Sequence, residues 1–208
     1  MSMVPEAPAS INYSVVPATV TSNADALGRV KVRFPWMDEP AESPWLAVAG
    51  PGAGIGRGLY WMPEVNDLVL VAFSFGQLDK GFVIGSLWST ADKPPGGGDP
   101  NRRTLTSVSG HVITLDDTPD AERITIVDKS GANTITLDAK AGTITIASGG
   151  DLTIQATGKL ALHSDADVTI TGKTVTLEAS SQLAARGNAI AINGPAGVVI
   201  NDGALEVV

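Results

Sequence analysis

Two histidines, and no cysteine, supply the nitrogen or sulfur ligands that a metal site in this chain would need. His111 and His163 lie far apart, and neither has a second histidine at ligand spacing. Symmetry-related copies offer another route to a metal site, but His163 directly follows the aliphatic pair Leu160 and Leu162 and is expected at a corner. We therefore expect solvated histidines, with no bound metal or cofactor.

Two glycine-rich segments match phosphate-binding loops only in part. In Gly52–Gly58 the third glycine of a Gly-x-Gly-x-x-Gly motif is replaced, by Arg57 or by Leu59 according to the register. Gly172-Lys173-Thr174 resembles the end of a P-loop, but Asp167 stands where the first glycine belongs and no helical pattern follows. The sequence predicts a flexible turn for the first segment and a corner for the second.

Catalytic and calcium-binding motifs are similarly incomplete. Ser109, His111 and Asp116 have the composition of a nucleophilic triad. They all lie on one predicted strand or in the few residues before it, which disfavours a triad geometry. Glycosidases need two carboxylates about 5 to 9.5 Å apart in a cleft, and this chain has no Phe, Tyr or Trp after Trp88 to stack on a sugar. The Ser148–Asp151 segment resembles a calcium-binding repeat, but it occurs once and lacks the later glycine. We expect no enzymatic activity.

A short repeated phrase occupies the second half of the chain: an aliphatic residue, a small residue and another aliphatic residue. It begins at residues 113, 124, 135, 144, 152, 160, 168 and 175 and continues to the C-terminus. Because a strand alternates its faces, each phrase sends two aliphatic side chains to one side. Gly, Asp, Asn, Ser and Lys fill the gaps, where corners are needed. This pattern predicts a β-solenoid, in which single units gain a core only by stacking.

The aliphatic residues of these phrases are the predicted core of the solenoid. They are Ile124, Ile126, Ile135, Leu137, Ile144, Ile146, Leu152, Ile154, Leu160, Leu162, Val168, Ile170, Val175, Leu177, Ile190, Ile192, Val198 and Ile200. The absence of aromatic residues fits a core too narrow for rings.

The chain divides at a proline- and glycine-rich stretch, Lys93–Pro100. All aromatic residues precede it and all clean repeats follow it. The first half is predicted to form short strands at 13–20, 29–36, 45–49, 59–62, 68–75 and 82–88, as in a small closed barrel of the OB type. We assign 1–12 to an N-terminal arm, 13–90 to the barrel, 91–111 to a linker or neck, and 112–208 to the repeats.

Composition limits the classes of partner. The net charge of −8 makes nucleic acid an unfavourable partner. The longest apolar run, Leu68–Phe73, is too short to span a bilayer, and Met1–Val20 lacks a signal-peptide pattern. Any contact with a membrane must therefore be made by a folded object, and the lack of cysteine suits synthesis in a reducing cytoplasm. Of the N-terminal aromatics, Trp36, Trp45, Trp61, Phe73, Phe82 and Trp88 are expected in core or subunit packing.

The first half resembles a known family in several motifs. These are Val16–Val20, Asp25, Gly28–Trp36 (Gly-Arg-Val-Lys-Val-Arg-Phe-Pro-Trp), Ser43–Trp45, Gly54, Gly58, Pro63–Phe73 and Val83–Leu87. The chain is similar, over about residues 13–90, to the OB domain of the central spikes of contractile injection machines. That family includes phage baseplate assembly protein V and the VgrG proteins of type VI secretion.

The resemblance implies an all-β fold in which the OB barrel is followed by a trimeric, intertwined β-helical needle. Twelve strands advancing about 4.8 Å each make a needle of roughly 58 Å, against about 19 Å for the same strands wound as a monomeric coil. The implied function is mechanical: a membrane-puncturing spike at the baseplate of a phage tail or injection particle, driven by sheath contraction. The alternative is a trimeric tail adhesin that binds surface polysaccharide.

The resemblance also implies partners at both ends of the needle. Only about a dozen residues precede Tyr13, so the ring-shaped hub is expected to be a separate protein beside the tube and baseplate proteins. The C-terminus lacks the His-x-His apex of some phage members, which calls for a cap. A PAAR-type tip protein is therefore expected on Leu205, Val207 and Val208.

Overall fold

A computed structural model describes residues 15–37, 41–77 and 79–199 of the chain. It is all-β apart from two short 3₁₀ turns, Ser74–Gly76 and Pro95–Gly98. The chain divides into two units, Met1–Leu152 and Thr153–Val208. In the described residues no helix is long and apolar enough to cross a bilayer.

Five strands of the first unit close into a barrel in the order β1-β2-β3-β5-β4. The strands are β1 (Val15–Ser22), β2 (Arg29–Arg33), β3 (Leu46–Val48), β4 (Leu68–Phe73) and β5 (Gly81–Leu87). All neighbours are antiparallel except β3 and β5, which are parallel. The predicted closed barrel is confirmed.

Alternating apolar side chains fill the barrel. In β4, Val69, Val71 and Phe73 point inward and are buried, while the residues between them are partly exposed. Phe34 lies beside Phe73, with 5.6 Å between the ring centroids, and stacks on Trp36 at 5.0 Å. β-Branched and aromatic residues suit such a half-buried pleated surface. The expectation of core packing therefore holds for Phe73, whereas Trp61 and Trp88 are more than half exposed.

The turn from β1 to β2 is fixed by Asp25. Its carboxylate accepts hydrogen bonds from the Arg29 guanidinium, at 2.7 Å, and from the backbone N–H groups of Leu27 and Arg29. The Arg29 hydrogen bond lowers the pKa of Asp25. Gly28 has a φ of +67°, and a Cβ there would lie 3.2 Å from the Tyr60 ring. Local structure thus explains why Asp25, Gly28 and Arg29 occupy these positions.

One predicted barrel strand is wrong. Leu59–Met62 forms no strand, and its Leu59, Tyr60 and Trp61 side chains are exposed. A closed five-stranded barrel has no free edge to which a sixth strand can pair. The segment instead belongs to the long β3–β4 loop, in which Gly54 and Arg57 exchange backbone hydrogen bonds of 3.1 and 3.2 Å. The turn predicted at Gly52–Gly58 is confirmed.

The strand directions place the barrel loops at two ends. The β1–β2 loop, the β3–β4 loop and the exit from β5 share one end, because β1, β3 and β5 run the same way. The β2–β3 and β4–β5 connections lie at the opposite end. Trp61 therefore belongs to the end from which the chain leaves the barrel.

A second sheet follows within the first unit. It is an antiparallel meander of β6 (Arg102–Thr106), β7 (Val112–Asp116), β8 (Arg123–Val127), β9 (Thr134–Asp138) and β10 (Thr143–Ala147). The first four repeated phrases form the centres of β7 to β10. The structure adds β6 within residues 91–111, where the sequence predicted a linker.

The later phrases differ from the earlier ones. Residues 153–199 contain no strand in this single chain, and their described part makes one backbone hydrogen bond, from Gly197 N–H to the Gly194 carbonyl. The β-helix expected there remains a prediction. Ile200, Leu205, Val207 and Val208, like the arm 1–12, lie outside the described residues.

The barrel core supports a direct stability test. Leu46 is 2% exposed and Leu27 is 74% exposed. We expect Leu46→Ala to lower the free energy of unfolding by about 2 to 5 kcal/mol, because it leaves a cavity. Leu27→Ala, the matched control, should change it by less than about 0.5 kcal/mol. Urea unfolding of the two variants measures both values, and equal losses would contradict the assigned core.

Candidate assembly surface

One face of the second sheet is aliphatic except at Arg103, which lies opposite Leu115 on the edge strand β6. In the observed register Ile113 lies opposite Ile126, and Ile126 lies opposite Ile135. Because directly paired residues of antiparallel strands share a face, these side chains form continuous rows. We call this surface the aliphatic face; it consists of Leu105, Ile113, Leu115, Ile124, Ile126, Ile135, Leu137, Ile144 and Ile146.

The aliphatic face is open to solvent in the single chain. Its side chains are 37% to 73% exposed, although they include most of the larger apolar residues of the sheet. Soluble proteins rarely leave a contiguous apolar patch of this kind uncovered. The face therefore has the character of an assembly surface.

The opposite face is largely polar, although Val112, Val127 and Ala147 lie at one end of it. Its central row contains Thr104, Thr114, Thr125, Thr136 and Thr145, each directly opposite the next. Threonine combines a high strand propensity with a hydroxyl group that water can solvate. This alternation of aliphatic and polar faces is the one that the repeated phrase predicts.

A row of alternating charge runs along one end of the polar face. Arg102, Asp116, Arg123 and Asp138 lie on four successive strands, each opposite the next. Asp116 is 5% exposed and lies 3.2 Å from Arg102 Nε and 3.7 Å from an Arg123 nitrogen. A slip of one residue in any of these strands would turn its charge to the aliphatic face and break the row, so the row favours this register.

Asp116 is held as a carboxylate. The Thr118 hydroxyl donates a hydrogen bond of 2.6 Å to it, and the Thr118 N–H donates another. These bonds, together with the positive charges of Arg102 and Arg123, keep the pKa of Asp116 below its ordinary value of 3.8.

At the other end of the strands, side chains fix the β8–β9 turn and the segment that follows β10. The Asp128 carboxylate accepts hydrogen bonds from the Ser130 hydroxyl and from Asn133, within the β8–β9 turn. These bonds lower the pKa of Asp128. The Asn133 side-chain carbonyl accepts from the Ser148 hydroxyl and the Gly149 N–H, which follow β10. The chain is thus held in place at the point where it leaves the sheet.

The aliphatic side chains beyond the sheet are also exposed. From Ile154 to Val198 the predicted core residues are 48% to 75% exposed in the single chain. Their backbone lacks the paired strands that β7 to β10 have within the chain. Both side chains and backbone are therefore left without the contacts that their sequence pattern calls for.

The residues that sequence reasoning considered for chemistry are not brought together. Asp116 is bonded to Thr118 and the two arginines, while the His111 ring accepts a hydrogen bond from Lys129 N–H at 3.3 Å. His163 is exposed and lies 3.3 Å from Asp165. Within the described ranges, no three His, Cys, Asp or Glu side chains are grouped so as to hold a metal ion.

The matches to known proteins fall on the barrel part of the sequence. Residues 16–88 match the sequence family described as the type VI secretion system/phage-baseplate injector OB domain. The type VI secretion system spike proteins VgrG2a and VgrG2b of Pseudomonas aeruginosa are each 33% identical to this chain over 85 residues, which is 39% of the chain. VgrG5 of the same species is 36% identical over 83 residues. These matches cover 10%, 8% and 10% of the three relatives, so most of their length has no counterpart in the alignment.

The charged row predicts an acid-sensitive sheet. Since folding depresses the pKa of Asp116 from 3.8, its carboxylate stabilises the folded chain above that pH. The stabilisation is lost as the pH falls below 3.8 and through the lower pKa of the folded state. We expect Asp116→Asn to lower the urea midpoint at neutral pH and to flatten its decline below pH 3.8.

Asp117→Asn is the matched control, because Asp117 is exposed and pairs with Arg103 at the surface. Its urea midpoint should follow that of the unmodified chain across the pH range. The same decline in all three proteins would show that Asp116 does not contribute.

Proposed function

Since residues 16–88 match the type VI secretion system/phage-baseplate injector OB domain family, we propose that the chain is the central spike of a contractile injection system. One observation carries this proposal: the barrel is followed by the repeated phrases, which we call the shaft, and their aliphatic side chains are exposed in a single chain. The spike punctures the target envelope when the sheath contracts. The chain itself is proposed to be non-enzymatic.

The active form is proposed to be a homotrimer. Buried backbone N–H and C=O groups need partners, and the described residues 153–199 supply almost none to one another. A monomeric solenoid would pair each strand with a strand of the next coil of the same chain, and the described residues 153–199 form no such pairs. Neighbouring copies supply both the strand partners and the cover for the aliphatic side chains.

The proposed shaft contains two kinds of β-structure, one after the other along the chain. Phrases that form the meander begin 11, 11 and 9 residues apart, at residues 113, 124, 135 and 144, which leaves room for turns that reverse the chain. The later phrases begin about eight residues apart, which suffices for a strand and a corner. We assign residues 102–147 to a prism of three sheets, one from each copy, and the following residues to an intertwined β-helix.

The proposed spike is built to carry load. Its strands stack along the axis about 4.8 Å apart, so backbone hydrogen bonds run parallel to the applied force. Three aliphatic faces meet in a continuous core, with Arg103 at its β6 edge, while the threonines and the charged row face outward. A structure of this kind transmits force delivered by the sheath without chemistry of its own.

Partners are proposed at both ends of the spike. A separate ring-shaped hub protein, with the tube and baseplate proteins, contacts the barrel, and a PAAR-type tip protein covers the C-terminal end. Leu205, Val207 and Val208 stay the proposed platform for that tip. The assembled location is a phage tail or an injection particle, and no nucleic acid or cofactor takes part.

Neighbouring residues of β8 give a sharp test of the trimer. Ile126 belongs to the aliphatic face, and Thr125 belongs to the polar face. The unmodified chain should sediment at about 64 kDa, three times the 21.3 kDa of one chain. Ile126→Asp should abolish the trimer because it places a charge in the shared core. Thr125→Asp should preserve it.

Analytical ultracentrifugation and light scattering measure these masses. A value near 21.3 kDa for the unmodified chain would contradict the trimer, and about 43 kDa would indicate a dimer. Equal effects of the two substitutions would contradict the assignment of the two faces.

The spike function requires a test in the organism that encodes the chain. We expect particles carrying Thr125→Asp to assemble and inject as usual. Particles with Ile126→Asp should lack spike density in electron micrographs and fail to inject into target cells. Normal injection without a trimeric spike would contradict the proposed function.

A further inference from the structure

One aromatic side chain of the barrel shares a cavity with the aliphatic face of the second sheet. This cavity has a volume of about 590 Å³ and is lined by Trp61 together with Leu105, Ile113, Ile126, Ile135 and Ile146, among other residues. Trp61 lies in the β3–β4 loop, at the end from which the chain leaves the barrel. It is 52% exposed in the single chain. A barrel residue thus lies against the surface that we assign to the shaft interior.

The covalent connection between barrel and sheet is poorly suited to hold the two in a fixed orientation. It contains Gly96, Gly97 and Gly98, all with φ near +70°. Glycines contribute no side chains to packing and are the most freely moving residues of a backbone. A joint that transmits force therefore needs a contact outside this segment.

We infer that Trp61 is the contact that locks the barrel to the shaft, with its indole ring enclosed in the aliphatic interior of the assembled spike. This inference rests on the proposed trimer, in which two further copies of the chain cover the aliphatic face. The copies close the cavity over the ring. The ring becomes inaccessible to solvent on assembly although half of it is exposed in one chain.

The chemistry of the cavity suits a tryptophan. Its aliphatic residues contact the large apolar ring, while Ser107 and Ser148 also line it and provide acceptors for the indole N–H. The adjacent Tyr60 does not line this cavity. It is 75% exposed and lies next to Gly28. Tyr60 is therefore a matched control from the same loop.

Fluorescence quenching tests the inference. We compare the full chain in which Trp61 is the sole tryptophan, made by Trp36→Phe, Trp45→Phe and Trp88→Phe, with the same chain carrying Ile124→Asp. Ile124 belongs to the aliphatic face but does not line the cavity, so the substitution places a charge in the shared core without touching the surroundings of Trp61. Trp61 emission should be shifted to shorter wavelength and resist acrylamide in the trimer. It should be quenched readily in the unassembled Ile124→Asp chain. If the triple substitution prevents assembly, the difference between the unmodified chain and Trp61→Phe gives the same quantity.

A second measurement tests the locking role. Trp61→Ala should separate the thermal unfolding of the trimer into two transitions, barrel and shaft, whereas Tyr60→Ala should leave it as in the unmodified chain. Equal quenching of Trp61 in the trimer of about 64 kDa and in the Ile124→Asp chain would overturn the inference and leave the proposed function intact. A monomeric unmodified chain would overturn both.

Discussion

The need of every β-strand for neighbours on both edges governs this structure. The barrel meets that need within one chain, because its five strands close on themselves. The meander meets it in part and leaves β6 and β10 as edges. Residues 153–199 hardly meet it at all. The chain thus passes from a self-sufficient domain to a segment that finds almost no backbone partners within the chain, and the proposed trimer is the assembly that would supply them.

The sequence was sufficient to predict the barrel and the strands at the first repeated phrases, since alternation of apolar residues reports strands directly. It misled at Leu59–Met62, where four apolar residues suggested a strand that a closed barrel cannot accommodate. It also concealed β6, whose Arg-Arg-Thr-Leu-Thr contains a single aliphatic residue. Pairing with β7, which no local pattern reveals, makes that segment a strand.

The candidate surface was predictable in its pattern and not in its supporting contacts. The alternation of side chains along a strand is enough to place Ile124 and Ile126 on one face and Thr125 on the other. The charged row needed the pairing of strands, although a signal exists: Asp116 and Asp138 follow their phrases, whereas Arg123 precedes its own. In an antiparallel meander those positions fall at the same end. Trp61 gave no such signal, because its place depends on the barrel's topology.

In the proposed spike, the meander would also let the intertwined segment begin in register. Three chains that wind around each other must start at the same height, since a slip of one residue exchanges the two faces of a strand. A sheet paired within one chain has its register set by its own turns and by the Arg102–Asp116–Arg123 contacts, before any other copy arrives. Asn133 then holds Ser148 and Gly149, where the chain departs from the sheet. Three such sheets, brought together by their aliphatic faces, would present three departing chains at equal heights.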